Sequence, residues 1–395
     1  MPDLLPIISD LAWPLAFAIA WVAGEFGHRW TGLPRISIYG LAGFLLANTQ
    51  AGLLPRPVGI SIMLLANIAF SLILFELGYR INLRWLRTNP WLGVTSLIEA
   101  GGTFAAVYFV AQWFGMPFTP SLLLSSLAMA TSPAGVLRVV NEQRSSGQVT
   151  ERILHLSAFN CVLAVFTFKV VVGLWVFQNT GDILHALWNS LIVLLVSAAL
   201  GGLFGVAVPG LLKRLGNAGC DATVAFAIAV IILVALTHTL KLSPIPAALV
   251  FGLMARHRRI ALSQTQQNFG ALGNLLTVLL FVFMATTLEW KMVMAGAGIA
   301  LALLVVRFAV KTLCVTAFAH VSGITWRKGL LTGMALTPLS AFVILLLEQT
   351  RHLGIGLMDE LAALAAITLL LEVIGPVVTQ WALVLAKEVP DTKET

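Results

Sequence analysis

Charged residues are scarce in this sequence. Asp, Glu, Lys and Arg together make up 10% of the 395 residues, whereas apolar residues make up 59%. The mean hydropathy is +0.94. A soluble domain cannot bury so much apolar surface, so lipid must be the solvent for most of the chain. The composition therefore excludes a soluble globular fold and predicts an all-α protein that crosses a membrane many times.

Several familiar motifs are also absent. The three cysteines, Cys161, Cys220 and Cys314, lack the spacing of a disulfide framework or a metal site, so we expect free thiols and no metal. No GxGxxG motif follows a strand pattern, which excludes an attached nucleotide-sensing domain. No nucleophile–base pair or cofactor motif indicates an enzyme. The N-terminal stretch lacks a basic region and a cleavage site, so no removable signal peptide is expected.

Thirteen apolar segments are long enough to be considered as spans, and short loops join them. We expect a single transmembrane domain over residues 1–386 and a short cytoplasmic tail over 387–395. The ninth segment is short and begins Ser-Pro-Ile-Pro, which is typical of a tilted or re-entrant helix. The segments cover residues 6–26, 35–54, 58–79, 91–114, 119–141, 153–177, 183–210, 222–240, 243–256, 269–289, 292–320, 328–348 and 357–386.

The distribution of basic residues predicts the orientation. Seventeen of the 24 Lys and Arg residues fall in one set of loops, and three lie within spans. The positive-inside rule then places the N-terminus outside and the C-terminus in the cytoplasm. This bias accounts for the basic pI of about 9.7 without a nucleic-acid partner. The opposite loops hold only Arg56, Lys241, Lys291 and Arg351.

Two spans contain an internal proline beside hydroxyl residues. The fifth reads SSLAMATSPAGVLRVV and the twelfth reads LLTGMALTPLSAFVILL. Because proline removes a backbone hydrogen bond, the helices should break at Thr131–Pro133 and at Thr337–Pro338. The breaks lie seven spans apart, so the two helices run in opposite directions. This predicts inverted repeats over roughly 1–180 and 222–386, joined by a linker helix at 183–210, with a transporter site at the breaks.

The motifs resemble those of the cation:proton antiporter superfamily, in particular its bacterial Na+/H+ antiporter and glutathione-gated K+ efflux branch. The similarity follows the family's order over nearly the whole chain. It implies a secondary transporter that exchanges a monovalent cation, Na+ or K+, for protons by alternating access, without a cofactor, as a homodimer. The similar stretches are GLPRISIYGLAGFLLANTQAGLLP (32–55), LFELGYRINLRWLR (74–87), TSPAGVLRVVNE (131–142), LSPIPAALVFGLM (242–254) and LFVFMATTLEW (280–290).

The sixth span departs from the family pattern. The resemblance implies Asn-Asp or Asp-Asp there, with an aspartate that binds cation and proton alternately. Here Asn160 keeps the first position and Cys161 replaces the aspartate. Cys161 is either a thiolate proton carrier or a small packing residue. The neutral groups that we expect around the crossing, for a cation or an anion, are Thr131, Ser132, Asn160, Cys161, Thr337 and Ser340.

Charged residues within the spans are candidates for coupling. Lys311 lies where the family carries a basic residue, and Arg307 shares its helix face. Lys169 either titrates or extends to the outer interface. A buried charge needs a partner, so each deep acid is a candidate partner for one of these cations. Glu76 and Glu99 are also candidates to replace the missing carboxylate. The deep acids are Glu76, Glu99 and Glu372.

Two alternatives to cation–proton exchange remain open at this point. Positive charge near Cys161 without a carboxylate is compatible with transport of an anion or a small organic acid by the same fold. A membrane scaffold or sensor without transport would also be compatible with an inherited fold.

Overall fold

Each of the thirteen apolar segments contains a helix, and no β-strand occurs in the residues that the structure describes. The structure is a computed structural model that describes residues 4–54, 60–176, 183–214, 222–257, 269–339 and 360–390, with residues 343 and 346. The helices are α1 (Leu4–Thr31), α2 (Arg35–Leu46), α3 (Ile60–Arg80), α4 (Leu83–Thr88), α5 (Trp91–Trp113), α6 (Phe118–Ala128), α7 (Pro133–Glu142), α8 (Gln148–Val176), α9 (Ile183–Arg214), α10 (Ala222–Thr239), α11 (Pro244–His257), α12 (Gly270–Thr286), α13 (Trp290–Ala317), α14 (Trp326–Ala335) and α15 (Glu360–Leu385).

The lengths and compositions confirm a multi-pass membrane fold. Among the described residues, seven helical stretches are long and apolar enough to cross a bilayer, and α2 and most of α12 are shorter apolar helices. The spanning stretches are Trp91–Trp113, Phe118–Glu142, Gln148–Trp175, Ala186–Arg214, Ala222–Thr239, Val293–Ala317 and Ala366–Leu385.

The second span is shorter than predicted. We expected it to reach residue 54, but α2 ends at Leu46. Ala47 has ψ 155°, which leaves the helical region. The chain then turns through Gly52, whose φ of +69° is a left-handed conformation that glycine adopts without strain.

The helices form two groups by their contacts. α1, α2, α3, α9, α10, α11 and α12 pack mainly on one another, and we call them the outer bundle. α5, α6, α7, α8, α13, α14 and α15 form the core bundle, with α13 packed against α5, α14 and α15. The two bundles meet where α3 contacts α7, where α8 contacts α9 and where α15 contacts α2.

The packing of the outer bundle repeats between the two halves of the chain. α11 packs on α3, and α2 packs on α12, so the second helix of each half contacts the third helix of the other. Glycines, which have no side chain, allow both contacts. Gly78 of α3 lies directly against the backbone of α11, and Gly252 of α11 lies directly against the backbone of α3. At Gly43, an added Cβ would lie 2.6 Å from the carbonyl oxygen of Val282 on α12. Such reciprocal packing of the second and third helices is expected of an inverted repeat.

Both predicted helix breaks are present. α6 ends at Ala128 and α7 begins at Pro133, where the Ser132 hydroxyl accepts a hydrogen bond from the Gly135 amide at 3.0 Å. That contact caps α7. α14 ends at Ala335, and residues 336–339 are not helical. The proline positions are therefore the places where these spans open their backbone hydrogen bonding.

Candidate functional site

The two breaks meet each other directly. The Ser132 amide donates to the carbonyl oxygen of Pro338 at 2.9 Å, and the Thr131 hydroxyl donates to the carbonyl of Leu336 at 3.4 Å. An added Cβ on Gly135 would lie 3.4 Å from the Pro338 ring. The crossing therefore brings together, within the core bundle, backbone groups of two distant spans that have no partner in their own helix.

Arg307 on α13 binds the helix ends at this crossing. It is 1% exposed, and its guanidinium donates to Ala128 O at 2.9 Å and Ala130 O at 2.7 Å. It also donates to Thr337 O at 2.5 Å and Pro338 O at 3.4 Å. These carbonyls have no partner within their own helix where α6 and α14 end, and a helix C-terminus carries partial negative charge. Arg307 therefore compensates both ends at once.

Lys311, one turn along α13, is ion-paired with Glu99 of α5. Both side chains are fully buried. The Lys311 ammonium also donates to the Met129 carbonyl at 3.1 Å and to the Thr131 hydroxyl at 3.2 Å. The carboxylate that is missing from the sixth span is thus supplied to the same crossing by another helix.

Asn160 of α8 holds the other oxygen of Glu99. Its side-chain amide donates to Glu99 Oε2 at 2.7 Å and to the Thr131 hydroxyl at 3.2 Å. Its own carbonyl oxygen accepts from the Ser96 hydroxyl at 3.1 Å. We call these five residues, Ser96, Glu99, Thr131, Asn160 and Lys311, the Glu99 site.

The Glu99 site surrounds a monovalent cation with oxygen atoms. The Lys311 ammonium is a monocation, and its three acceptors are a carboxylate, a carbonyl and a hydroxyl oxygen. Oxygen ligands of these kinds also replace the hydration shell of a metal cation. All five side chains are buried, so this conformation has the site closed to water.

The neutral candidates have different places at the crossing. Thr131 and Asn160 belong to the Glu99 site, whereas Ser132 caps α7 and the Thr337 hydroxyl donates to the Met334 carbonyl. Cys161 is fully buried, with its sulfur 3.7 Å from the Thr131 carbonyl oxygen. Ser340 lies outside the described residues.

The remaining charged candidates lie away from the Glu99 site. Lys169 is half-buried further along α8 and makes no ion pair within the described part of the chain. Glu76 of α3 accepts from Asn141 at 2.8 Å and lies 3.6 Å from Arg138, both on α7. It also lies 3.5 Å from Arg80. Glu76 therefore connects the outer bundle to the core bundle.

Sequence reasoning did not single out Ser96 or the Met129 carbonyl. Ser96 could have been found, because it lies three residues before Glu99 and so shares a helix face with it. The Met129 carbonyl could not, because a backbone oxygen becomes a ligand only where the helix breaks. The anion hypothesis rested on positive charge near the crossing without a carboxylate at Cys161, and Glu99 supplies a carboxylate to the same crossing.

Comparison with known proteins gives one family. The family model described as "Sodium/hydrogen exchanger, transmembrane" matches residues 15–385. The low-affinity Na+/H+ antiporter NhaS1 of Synechocystis sp. is 24% identical over 185 residues. That match covers 46% of this chain and 34% of the relative, so the aligned part spans about a third of that protein's length.

The fold is also that of a solved antiporter. Two structures of the sodium proton antiporter MjNhaP1 from Methanocaldococcus jannaschii superpose on this chain. The first, at pH 8, gives a TM-score of 0.66 with 15% identity over 96% of both chains. The second, from an electron-microscopy map, gives 0.72 with 17% identity over the full length of both chains. At this identity the likeness shows the fold alone.

Proposed function

Because the chain belongs to the sodium/hydrogen exchanger family, we propose that it is a secondary active transporter that exchanges a monovalent cation, Na+ or K+, for protons by alternating access. The observation that carries the proposal is the buried Glu99–Lys311 pair at the crossing of the two broken spans. A group that changes charge at membrane depth is what a cation–proton exchanger requires.

Cation binding follows from replacement of the lysine. An incoming cation would take the oxygens that now surround the Lys311 ammonium, namely those of Glu99, Thr131 and Met129. Asn160 would keep the second carboxylate oxygen in place during the exchange. The site then holds one positive charge in either state, so the carboxylate is never left alone in the interior.

Lys311 is the proton carrier in this scheme. Burial disfavours the charged form of an amine, so a cation that takes the Glu99 carboxylate makes the ammonium release its proton. The N–H bond breaks, the proton passes to water and the neutral amine moves aside. Return of a proton restores the ammonium and displaces the cation. Cys161 has no part in these steps and serves as a small packing residue beside the Thr131 carbonyl.

Alternating access would come from movement of the core bundle, which carries the Glu99 site, against the outer bundle. Family membership and the membrane-spanning helices support a place in the bacterial inner membrane. The basic loops support an N-terminus outside and a C-terminus in the cytoplasm. The family resemblance supports a homodimer.

The experiment is exchange by the purified chain in proteoliposomes that contain a pH-sensitive dye and carry a proton gradient. Addition of Na+ or K+ should dissipate the gradient for the wild type and not for Glu99→Gln. Glu289→Gln is a matched control, since Glu289 precedes α13 and makes no capping hydrogen bond. Equal exchange by Glu99→Gln and the wild type would overturn the role of Glu99. Proton movement with anions alone would favour the anion hypothesis, and no movement would favour a scaffold.

A further inference from the structure

Glu372 on α15 is a buried carboxyl group that the proposed exchange does not use. It is 4% exposed, and neither of its oxygens has a hydrogen-bond partner in the described part of the chain. Glu99 and Glu76, in contrast, both have amide and cationic partners. An ionised carboxylate without a partner is too costly to keep in an apolar interior. Among the described residues, therefore, no group stabilises an ionised Glu372, and this packing favours the neutral carboxylic acid.

The carboxyl group lies at the contact between the two bundles. It packs over Gly40 of α2, where an added Cβ would be 3.3 Å from Glu372 Cγ, 3.4 Å from Cδ and 3.5 Å from Oε1. Next to it, the Ser37 hydroxyl donates to the Val373 carbonyl at 2.8 Å. The outer-bundle helix α2 thus closes over the side chain of a core-bundle residue.

Glu372 also lies one turn from the crossing. Gly375, three residues along α15, packs on Pro338, and an added Cβ there would lie 2.6 Å from the Pro338 Cα. The Thr379 hydroxyl, one turn further, donates to the Ala335 carbonyl at 3.0 Å. The same face of α15 therefore carries Glu372 beside the second broken span, at a surface that alternating access has to move.

No cation on a neighbouring helix is available to Glu372 among the described residues. α15 packs against α2, α7, α13 and α14. On these helices Arg35 pairs with Glu25 and Glu142, and Arg138 approaches Glu76 and the Gly273 carbonyl. Tyr39 packs against Gly24 of α1. The other titratable groups on these helices have partners elsewhere or lie at helix ends: Arg307 at the crossing, Lys311 at Glu99, Lys291 in the first turn of α13, Arg327 at the Leu385 carbonyl, Lys328 at Gln148 and Glu388, and Cys314 beside Gly102. His28 of α1 lies against Glu142.

We propose that Glu372 is a second proton-binding site, which must hold a proton for α15 to pack against α2 and which releases it when the bundles separate. On release the O–H bond breaks, the proton passes to water and the electron pair stays on the carboxylate. The inference rests on the proposed function, because that function supplies the movement between the bundles. It adds a protonation requirement that the Glu99 site does not contain.

The proton on Glu372 is directly observable by infrared difference spectroscopy of the full chain in lipid, between acidic and alkaline pH. The wild type should show the C=O stretch of a protonated carboxyl that is lost on alkalinisation. Glu372→Gln should lack this band, whereas Glu99→Gln should keep it. A band that persists in Glu372→Gln, or a wild type without such a band, would overturn the proposal. Glutamine has nearly the same shape as the protonated acid, and a melting curve checks that the variant is folded.

Exchange measured against pH tests the consequence for transport. Alkaline pH removes the proton and disfavours the closed packing, so the wild-type rate should fall at high pH. Glu372→Gln stays neutral and should keep its rate to higher pH, with Glu289→Gln following the wild type. Identical profiles for Glu372→Gln and the wild type would overturn this inference and leave the proposed function intact. Absence of exchange in the wild type would instead overturn the proposed function, and the infrared band would still decide whether Glu372 binds a proton.

Discussion

Lys311 on α13 and Glu99 on α5 form a buried ion pair although 212 positions separate them in the chain. The pair lies beside Asn160, at the crossing where the resemblance implies an aspartate at the position of Cys161. A carboxylate is thus retained at the crossing but comes from a different helix. The site keeps one acid and one base, and this balance explains how Lys311 is tolerated at membrane depth.

The Glu99–Lys311 pair should show strong energetic coupling. Lys311→Met leaves a lone buried carboxylate and should lower the free energy of unfolding by about 3–5 kcal/mol. The double variant Glu99→Gln/Lys311→Met removes both charges and should be more stable than Lys311→Met alone. Thermal unfolding of the wild type, Glu99→Gln, Lys311→Met and the double variant in one detergent completes a double-mutant cycle. Additive effects would show that the two side chains do not interact.

Arg307 should not be replaceable by lysine. Its planar guanidinium reaches carbonyls of both broken spans, and a single ammonium group cannot reproduce that geometry. Each buried carbonyl left without a donor costs about 1–3 kcal/mol. Arg307→Lys should therefore lower the melting temperature and reduce exchange, as measured on the same preparation. Unchanged melting would mean that water or another side chain satisfies the carbonyls.

Cys161 should be dispensable. It is fully buried beside the Thr131 carbonyl, so Cys161→Ala removes a small thiol and its weak hydrogen bond and no charge. Exchange in proteoliposomes should remain close to the wild-type rate, and thiol reagents should not inhibit the wild type through this residue. Loss of exchange in Cys161→Ala with a normal melting curve would instead favour a thiolate carrier.

Glu388 should stabilise the start of α8. Its carboxylate accepts from the Val149 amide at 2.9 Å, and from the Thr150 amide at 2.8 Å and hydroxyl at 2.9 Å. This is the role of an N-cap supplied by a residue that follows α15. Glu388→Ala should cost about 1–2 kcal/mol in unfolding free energy. Glu151→Gln, in the same turn but half exposed, is the control and should melt like the wild type.

Some features of the site could be predicted because they depend on local sequence. Pro133 and Pro338 break their helices wherever these helices pack, since the ring removes a backbone donor. Thr131, next to the first break, was expected near the crossing from the local sequence, whereas Asn160 was expected there from the family resemblance; both side chains lie there. Glu76 and Glu99 were both candidates to replace the missing carboxylate, and the choice between them could not be predicted, because a helix presents several faces and its neighbours are not known from periodicity.

By itself the sequence determined the membrane environment, the helical spans and the two breaks, because hydropathy and proline geometry act over a few residues. Only the tertiary structure decided the pairing of Lys311 with Glu99, the binding of Arg307 to the helix ends, the packing of Glu372 over Gly40 and the separate position of Lys169. These depend on which faces of distant helices meet, and in lipid that choice comes from packing and hydrogen bonding between helices and not from hydrophobicity.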